Sequence, residues 1–137
     1  MRVDEIVTQR LVITSPTASV RSAAAAMRDN DVGTLPVIEE HRLVGIVTDR
    51  DIVVRVVADE KPQADLRVRD IMTEEVHCCR DDDDVEEVAG RLGDLAIRRM
   101  PVLDKAGRVV GIVSLDDIAV HADWGRTVAE ALRRIAQ

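Results

Sequence analysis

The segment Gly45-Ile46-Val47-Thr48-Asp49-Arg50-Asp51 is the strongest indication of the fold, because the chain repeats its pattern at Gly111-Ile112-Val113-Ser114-Leu115-Asp116-Asp117. In both copies a short apolar run ends in a hydroxyl residue, and an aspartate follows three residues later. The apolar run favours a strand, and the hydroxyl residue with its aspartate favours the first turn of a helix. Each copy therefore predicts a strand that passes directly into a helix.

Further matches extend from this motif in both directions along the chain. Residues 2–8 align with residues 67–73, and Leu35-Pro36-Val37 aligns with Met100-Pro101-Val102. Because the matching segments occur in the same order in both halves of the chain, they indicate two copies of one supersecondary unit. A copy of about 50 residues is too short to bury a stable core by itself. We therefore expect the two copies to pack face to face as one pseudo-twofold domain.

Hydrophobic periodicity predicts the order β-α-β-β-α within each copy, so the fold class is α/β in the α+β sense. In the first copy it places a strand at residues 11–14, a helix at 20–30, a hairpin at 35–48 and a second helix at 51–58. Ser19 and Thr17 are both available as the N-cap of the first helix. The chain then divides into repeat 1 (1–58), a linker (59–66), repeat 2 (67–122) and a C-terminal helix (123–137).

The C-terminal helix is predicted after a break at Trp124-Gly125, with Thr127 as one candidate cap. Its apolar stripe has helical spacing and consists of Val128, Ala131, Leu132 and Ile135. This stripe needs cover from either the domain core or a second chain. In the second repeat, Gly90 and Gly93 weaken the first helix by about 1 kcal/mol each relative to alanine, so packing must hold that helix.

Composition excludes several classes of protein. With 26 acidic and 19 basic residues, the net charge of -7 opposes binding to phosphate backbones and anionic membranes. Trp124 is the only aromatic residue, so the chain lacks the rings that a base-stacking surface needs. No apolar stretch has the length of a membrane span, and Asp4 and Glu5 lie where a signal peptide needs positive charge. The adjacent Cys78 and Cys79 cannot join distant segments through a disulfide. We expect a cytoplasmic protein.

The sequence contains no motif that predicts catalysis. The nucleophile motif Gly-x-Ser-x-Gly, the phosphate-binding loop Gly-x-x-x-x-Gly-Lys-[Ser/Thr] and the zinc motif His-Glu-x-x-His are all absent. Three histidines without a paired nucleophile motif give little basis for acid-base chemistry. We therefore do not expect an enzyme.

The duplicated unit, with x-Pro-Val on its second strand and Gly-Ile-Val-[Thr/Ser]-x-x-Asp from its third, resembles the CBS-domain pair, or Bateman module. The resemblance covers nearly the whole chain. It implies a stand-alone regulatory module that senses an adenine nucleotide or a related adenosyl ligand in clefts between the repeats. The implied ligands are AMP, ADP, ATP, NAD and S-adenosylmethionine, with Mg2+ able to accompany a nucleotide, and no cofactor is required.

The resemblance also implies an assembly. Related modules commonly form flat homodimers through their helices and act on an effector protein, which this sequence does not identify. The outward faces of residues 51–58 and 128–135 are the apolar surfaces that we expect in such a dimer.

Two sets of site residues follow from the same resemblance. The first cleft would use Ile46, Thr48, Arg50 and Asp51, with Ile97 and Arg98 from the other repeat. The second cleft would use Ile112, Ser114, Asp116 and Asp117, with Val32 and Gly33 from the first repeat and Arg98 or Arg99 near a phosphate. No catalytic or metal-ligating residue is implied.

The chemistry of the strand-end motif leaves two interpretations open. The hydroxyl can bond a phosphate oxygen, and the carboxylate can accept hydrogen bonds from the paired hydroxyls of a ribose. In the other interpretation, Thr48 and Ser114 cap their helices, and Asp51 and Asp117 complement the helix dipoles.

Charge distinguishes the two copies. Arg50 in the first copy corresponds to Asp116 in the second, so a phosphate near this position would be attracted in the first cleft and repelled in the second. Arg98 and Arg99 are the phosphate candidates of the second copy, unless they pair with nearby acids. We predict two sites of unequal affinity.

Two other functions stay open. The chain could be a structural or interaction protein whose clefts bind no ligand, since Gly33-Thr34 lacks the basic residues of Arg98-Arg99. A metal or redox sensor would use His77 and Cys79, which alternate onto one face of a strand. The run Asp81-Asp82-Asp83-Asp84 could hold a cation, but carboxylates that precede a helix also stabilise its N-terminus.

Overall fold

Two antiparallel hairpins carry the repeated motif, as the alternation of apolar residues predicts. A computed structural model describes residues 1–7, 11–121 and 125–136 of the chain. The chain divides into a first-repeat unit, Val12–Val76, and a second-repeat unit, which combines Met1–Leu11 with His77–Gln137.

The first-repeat unit has the predicted helix and hairpin. Its elements are helix α1 (Val20–Asn30), strands β1 (Thr34–Glu39) and β2 (Arg42–Thr48), and helix α2 (Asp49–Ile52). Helix α2 continues as a π-helical stretch, Val53–Ala58, and a 3-10 turn follows at Val68–Asp70. Glu40 and His41 join the strands with positive φ angles of 50° and 68°, as a two-residue hairpin turn of type I′ requires.

The second-repeat unit follows the same order and adds a helix at the end. After a 3-10 turn at Val3–Glu5, it contains strand β3 (Cys79–Arg80), helix α3 (Val85–Leu95), strands β4 (Arg99–Leu103) and β5 (Val109–Ser114), helix α4 (Leu115–His121) and helix α5 (Gly125–Ala136). Strand β3 pairs parallel to β4, and β4 pairs antiparallel to β5.

The first strand of the first copy is shorter than predicted. Of residues 11–14, only Thr14 forms a bridge, which runs parallel to Val37. The Thr14 N–H donates to the Pro36 carbonyl at 3.0 Å, and the Ile38 N–H donates to the Thr14 carbonyl at 2.9 Å. Pro36 has no N–H of its own, which limits the ladder that a neighbouring strand can form with β1.

Side-chain caps set the starts of two helices. Ser19 Oγ accepts a hydrogen bond from the Ser22 N–H at 3.0 Å, so Ser19 rather than Thr17 caps α1. Helix α2 begins at Asp49 rather than at residue 51, because its N-cap is Thr48. In both cases a hydroxyl satisfies a backbone N–H that has no partner within the helix.

The opening segment of each repeat packs in the unit of the other repeat. Val3 lies in the core of the second-repeat unit, and its N–H donates to the Asp83 carbonyl at 2.9 Å. Val68 lies in the core of the first-repeat unit, and its N–H donates to the Ala18 carbonyl at 2.9 Å. Neither repeat therefore completes its core from its own residues alone.

The apolar stripe of α5 is covered within the second-repeat unit. Val128 and Ala131 are buried in the core of that unit, and α5 packs against α3. Of the two covers that the sequence left open for this stripe, the domain core is the one observed. A dimer through the outward face of residues 128–135 stays a prediction. Thr127 lies inside α5 and is not its cap. The predicted break at Trp124 lies outside the described residues.

Gly93 allows α3 and α5 to approach closely. A Cβ atom at Gly93 would lie 3.0 Å from the Ala131 Cα and 2.8 Å from nitrogen atoms of the Arg134 guanidinium, whereas a Cβ atom at Gly90 would meet nothing within 4 Å. The two glycines therefore weaken α3 equally by propensity, but only Gly93 has a packing role.

These glycines give a matched pair of variants. We expect Gly90→Ala to raise the free energy of unfolding by up to about 1 kcal/mol, because alanine has the higher helix propensity. Gly93→Val should lower it by about 1–3 kcal/mol, because the added atoms force α5 away from α3. Urea denaturation followed by circular dichroism measures both changes, and equal effects of the two variants would contradict the close approach.

Candidate functional site

The junction between β2 and α2 is closed by two reciprocal hydrogen bonds. The Thr48 N–H donates to Asp51 Oδ2 at 2.9 Å, and the Asp51 N–H donates to Thr48 Oγ1 at 3.1 Å. Thr48 and Asp51 are both half-buried. This capping box fixes the hydroxyl and the carboxylate beside each other at the end of the strand.

The junction between β5 and α4 repeats this arrangement. The Ser114 N–H donates to Asp117 Oδ2 at 3.0 Å, and the Asp117 N–H donates to Ser114 Oγ at 3.1 Å. The capping interpretation of the sequence motif is thus correct in both units. Each hydroxyl keeps its own proton to donate, and each carboxylate keeps its second oxygen and further lone pairs to accept.

Each hairpin also presents a face that does not contribute to its core. Leu35, Val37 and Val47 point into the first-repeat core, so the alternating residues lie on the other face of the hairpin. Along β1 and β2 these are Thr34, Pro36, Ile46 and Thr48, with Thr34 opposite Thr48 and Pro36 opposite Ile46. An apolar Pro-Ile pair thus adjoins the strand-end hydroxyl. Thr34 and Pro36 are buried, and Ile46 and Thr48 are half-buried.

The second hairpin presents the same kind of face. Arg99 lies opposite Ser114, and Pro101 lies opposite Ile112. Sequence reasoning did not include Pro36, Pro101 or Thr34 in the site. The alternation of the x-Pro-Val strand could have identified these residues, because it places the proline on the same face as the isoleucine of the motif.

One further backbone hydrogen bond occurs at the corresponding position of both junctions. The Asp49 N–H donates to the Gly33 carbonyl at 2.9 Å, and the Leu115 N–H donates to the Arg98 carbonyl at 3.0 Å. Gly33 therefore stands where the second repeat has Arg98, and Asp49 stands where it has Leu115.

The side chains at these equivalent positions differ in charge. A Cβ atom at Gly33 would lie 2.8 Å from Asp49 Oδ2, so the carboxylate of Asp49 lies directly over the glycine. In the second repeat, Arg98 Nη2 lies 3.7 Å from Asp116 Oδ1, and both side chains are exposed. Exposed pairs of this kind contribute about 0–1 kcal/mol, so the Arg98 guanidinium is easily available to another anion.

Within each unit, the predicted site residues lie at one strand-to-helix junction. The first-repeat unit brings together Val32, Gly33, Ile46, Thr48, Arg50 and Asp51, and the second-repeat unit brings together Ile97, Arg98, Arg99, Ile112, Ser114, Asp116 and Asp117. Val32 and Ile97 hold equivalent positions, because their N–H groups donate to the carbonyls of Met27 and Leu92 at 3.0 Å. The ligand-binding roles of all these residues stay predictions.

Arg55 supports the carboxylate of the first junction. Its Nη1 donates to the Ile71 carbonyl at 2.7 Å and lies 3.8 Å from Asp51 Oδ1. Only 14% of the Asp51 side chain is exposed. Arg55 therefore joins the junction to the segment that opens the second repeat in sequence and packs in the first-repeat unit.

The cysteine and aspartate runs have structural roles. Cys79 is buried in the second-repeat core, and burial raises the pKa of its thiol to about 12, with the Asp83 carboxylate acting in the same direction. A thiol held in this protonated state is a poor metal ligand or nucleophile. In the stretches that the structure describes, no group of three or more His, Cys, Asp or Glu side chains is arranged to hold a metal ion.

The run Asp81-Asp82-Asp83-Asp84 is explained by local bonds. Asp84 is the N-cap of α3 and accepts from the Glu87 N–H at 3.3 Å. Asp83 Oδ2 accepts from the Arg80 N–H at 2.8 Å. The carboxylates thus stabilise the turn and the helix that follow β3.

Comparison with known proteins identifies the family. The family model described as "CBS domain" matches residues 3–58 and 68–122, which are the two repeats. The chain belongs to the CBS-domain family and contains a pair of these domains. CBS-domain pairs are regulatory, and in enzymes that carry them they are a regulatory part, so this chain contains a regulatory module.

Three similar proteins illustrate this family. The chain is 34% identical to the uncharacterized protein YlbB of Bacillus subtilis, over 99% of this chain and 92% of that protein. It is 33% identical to the inosine-5'-monophosphate dehydrogenase of Methanocaldococcus jannaschii, over 98% of this chain but only 26% of the enzyme. The crystal structure of the CBS domain pair of protein MJ0100 in complex with 5'-methylthioadenosine and S-adenosyl-L-methionine is 31% identical, with a TM-score of 0.78, and the match covers 88% of this chain and 98% of that one.

The helices were also compared with the requirements of a membrane span. Among residues 1–7, 11–121 and 125–136, no helix is both long and apolar enough to cross a bilayer.

Replacement of Arg55 tests its supporting role. We expect Arg55→Ala to lower the free energy of unfolding by about 1–2 kcal/mol, because the part-buried Ile71 carbonyl loses a charged donor. His121→Ala, at the equivalent position of the second repeat, is the control, since His121 is exposed and its Nδ1 lies 3.0 Å from the carbonyl of Asp117, on its own helix. Thermal unfolding measures both variants, and an equally small effect of the two would contradict the role given to Arg55.

Proposed function

We propose that this protein senses an adenosine-containing ligand, an adenine nucleotide or a related adenosyl compound, at the strand-to-helix junctions of its two CBS domains. The residues that carry the binding are Thr48 and Asp51 in the first repeat and Ser114 and Asp117 in the second. The carboxylates accept hydrogen bonds from the ribose hydroxyls, and Ile46 and Ile112 contact the base.

One observation carries this proposal. A hydroxyl and a carboxylate, fixed by reciprocal hydrogen bonds, adjoin an apolar Pro-Ile pair on the face of each hairpin that does not contribute to its core. The half-buried Ile46 and Ile112 can contact a flat apolar base, and the half-buried carboxylates of Asp51 and Asp117 can accept hydrogen bonds from the two adjacent hydroxyls of a ribose. The binding of 5'-methylthioadenosine and S-adenosylmethionine by the CBS domain pair of MJ0100 supports the same class of ligand.

A structural role is the second candidate, and one observation favours it. The Thr48 hydroxyl and the Asp51 carboxylate each accept a hydrogen bond from the backbone without any ligand. If capping is their whole role, the protein acts through its surface alone, and an adenosine ligand leaves its stability unchanged.

Replacement of the Asp51 and Asp117 carboxylates distinguishes the ligand-binding function from the structural one. We expect 5'-methylthioadenosine or AMP to raise the melting temperature of the protein, and the double variant Asp51→Asn with Asp117→Asn to lose this shift. Asparagine keeps an oxygen that can accept the cap hydrogen bond, but it has no carboxylate for two ribose hydroxyls. Differential scanning fluorimetry with each ligand measures the shift.

Asp84→Asn is the matched control, because Asp84 also caps a helix but lies outside the candidate site. We expect this variant to keep the full ligand-dependent shift. A wild-type protein that shows no shift with any adenine nucleotide or adenosyl compound would favour the structural role.

We further propose that two copies of the chain associate through the exposed apolar face of Val53–Ala58. Val53, Val54 and Val57 are 58%, 44% and 60% exposed, which is unusual for adjacent valines on one helical segment. A second copy offers the same face, so a twofold pair would cover both. The cytoplasmic location expected from the sequence stays a prediction.

Light scattering tests the proposed dimer. At tens of micromolar we expect the mass of two chains, and Val53→Glu with Val57→Glu should give the mass of one chain, because charges on both copies would meet at the interface. Ile13→Glu is the control, since Ile13 is 47% exposed but lies outside this face. A wild-type protein with the mass of one chain would refute the dimer.

A further inference from the structure

The segment 71–73 lies beside β2 in the first-repeat unit and bonds to the residue that we assign to the base. The Ile46 N–H donates to the Thr73 carbonyl, and the Thr73 N–H donates to the Ile46 carbonyl, each at 2.9 Å. Pro36 is opposite Ile46 on β1 and has no N–H to donate. The main chain of Ile46 is therefore held by a residue from outside the hairpin.

Gly45 gives the segment 71–73 its place beside β2. A Cβ atom at Gly45 would lie 2.8 Å from Met72 Sδ and 3.0 Å from the Thr73 carbonyl oxygen. The flexible end of Met72 can move aside, but the Thr73 carbonyl accepts the hydrogen bond from Ile46 and cannot retreat without weakening it. Gly45 is thus a strand glycine at which another backbone approaches closely.

Arg55 ties the same segment to the carboxylate of the junction. Its Nη1 donates to the Ile71 carbonyl at 2.7 Å and lies 3.8 Å from Asp51 Oδ1. The other oxygen of this carboxylate, Oδ2, accepts from the Thr48 N–H. Because 3.8 Å is too long for a hydrogen bond, Arg55 steadies the carboxylate by its charge and leaves the lone pairs of Oδ1 for a ligand.

We propose that the segment 71–73 is a positioning element of the first junction, with Arg55 as its positioning residue. The segment holds Ile46 through the main chain and Asp51 through Arg55, and these are the side chains that we assign to the base and the ribose. Ligand binding at this junction and docking of the segment on β2 therefore stabilise each other, since such a coupling is reciprocal. This inference rests on the proposed function and adds a means of regulation, because a change that detaches the segment also weakens the ligand.

Replacement of Arg55 tests the proposal at one junction and leaves the other as an internal reference. The amide NMR shift of Thr48 follows the binding of 5'-methylthioadenosine at the first junction, and that of Ser114 follows it at the second. We expect Arg55→Gln to weaken the binding that Thr48 reports by about fivefold or more. The binding that Ser114 reports should change by less than about twofold, because the segment 71–73 belongs to the first-repeat unit.

Two further variants separate positioning from a general effect of charge. Arg55→Lys should retain most of the affinity, since an ammonium group can still donate to the Ile71 carbonyl. Arg69→Gln removes an exposed arginine from the 3-10 turn that precedes the segment. We expect this control to change the binding at either junction by less than about twofold.

Gly45→Ala displaces the segment without removing a charge. Its added Cβ meets the Thr73 carbonyl, so we expect the loss of binding that Thr48 reports, again with the Ser114 value unchanged. Gly90→Ala is the matched control, because its added Cβ meets nothing within 4 Å. Thermal unfolding in the absence of ligand shows that each variant is folded before it is titrated.

Hydrogen exchange measures the coupling in the opposite direction. Saturating 5'-methylthioadenosine should slow the exchange of the Thr73 amide in the wild-type protein by about fivefold or more, because the ligand favours the docked segment. If Arg55 had only a structural role, its replacement would destabilise the protein, but the Thr73 amide would not respond to the ligand.

The outcomes distinguish this inference from the proposed function. If the ligand binds but Arg55→Gln leaves the binding that Thr48 reports unchanged, or weakens both junctions equally, the positioning role is overturned while the adenosyl function stands. A Thr73 amide that exchanges at the same rate with and without bound ligand overturns it as well. If neither Thr48 nor Ser114 shifts with 5'-methylthioadenosine or AMP in the wild-type protein, the proposed function fails and the positioning role fails with it.

Discussion

The reciprocal hydrogen bond between a strand-end hydroxyl and a carboxylate three residues later is the interaction on which the candidate site depends. Each partner satisfies a backbone N–H that the start of a helix leaves open, so the strand passes into the helix without an intervening loop. Because the bond is local, it forms in both repeats despite the change from threonine to serine. It also holds the carboxylate beside an apolar face of the hairpin, where a ligand with a base and a ribose finds both kinds of contact.

Local features of the structure could be predicted from the sequence, and features that depend on distant contacts could not. The alternation of apolar residues predicted both hairpins, and Ser19 was among the predicted caps of α1, because these signals act over a few residues. The exchange of Val3 and Val68 between the units depends on packing between segments far apart in sequence. The burial of Ala131 in the core of its own unit also depends on packing between distant segments, so the sequence alone could not predict it.

The same distinction between local and distant contacts applies to the candidate site. The aspartate of each motif was identified because its spacing from the hydroxyl is fixed by one helical turn. The role of Arg55 was missed, since the Ile71 carbonyl that it binds is brought near only by the packing of the segment that opens the second repeat. The same packing places residues of both repeats in each core.

The most direct measurement of the central claim is the change in backbone amide NMR shifts of the whole protein on addition of 5'-methylthioadenosine. We expect the largest changes on the amides of Thr48, Asp51, Ser114 and Asp117 and on the isoleucines beside them, since a ligand on this face perturbs the capping hydrogen bonds first. Saturating changes at other sites with these amides unmoved, or no changes at all, would contradict it.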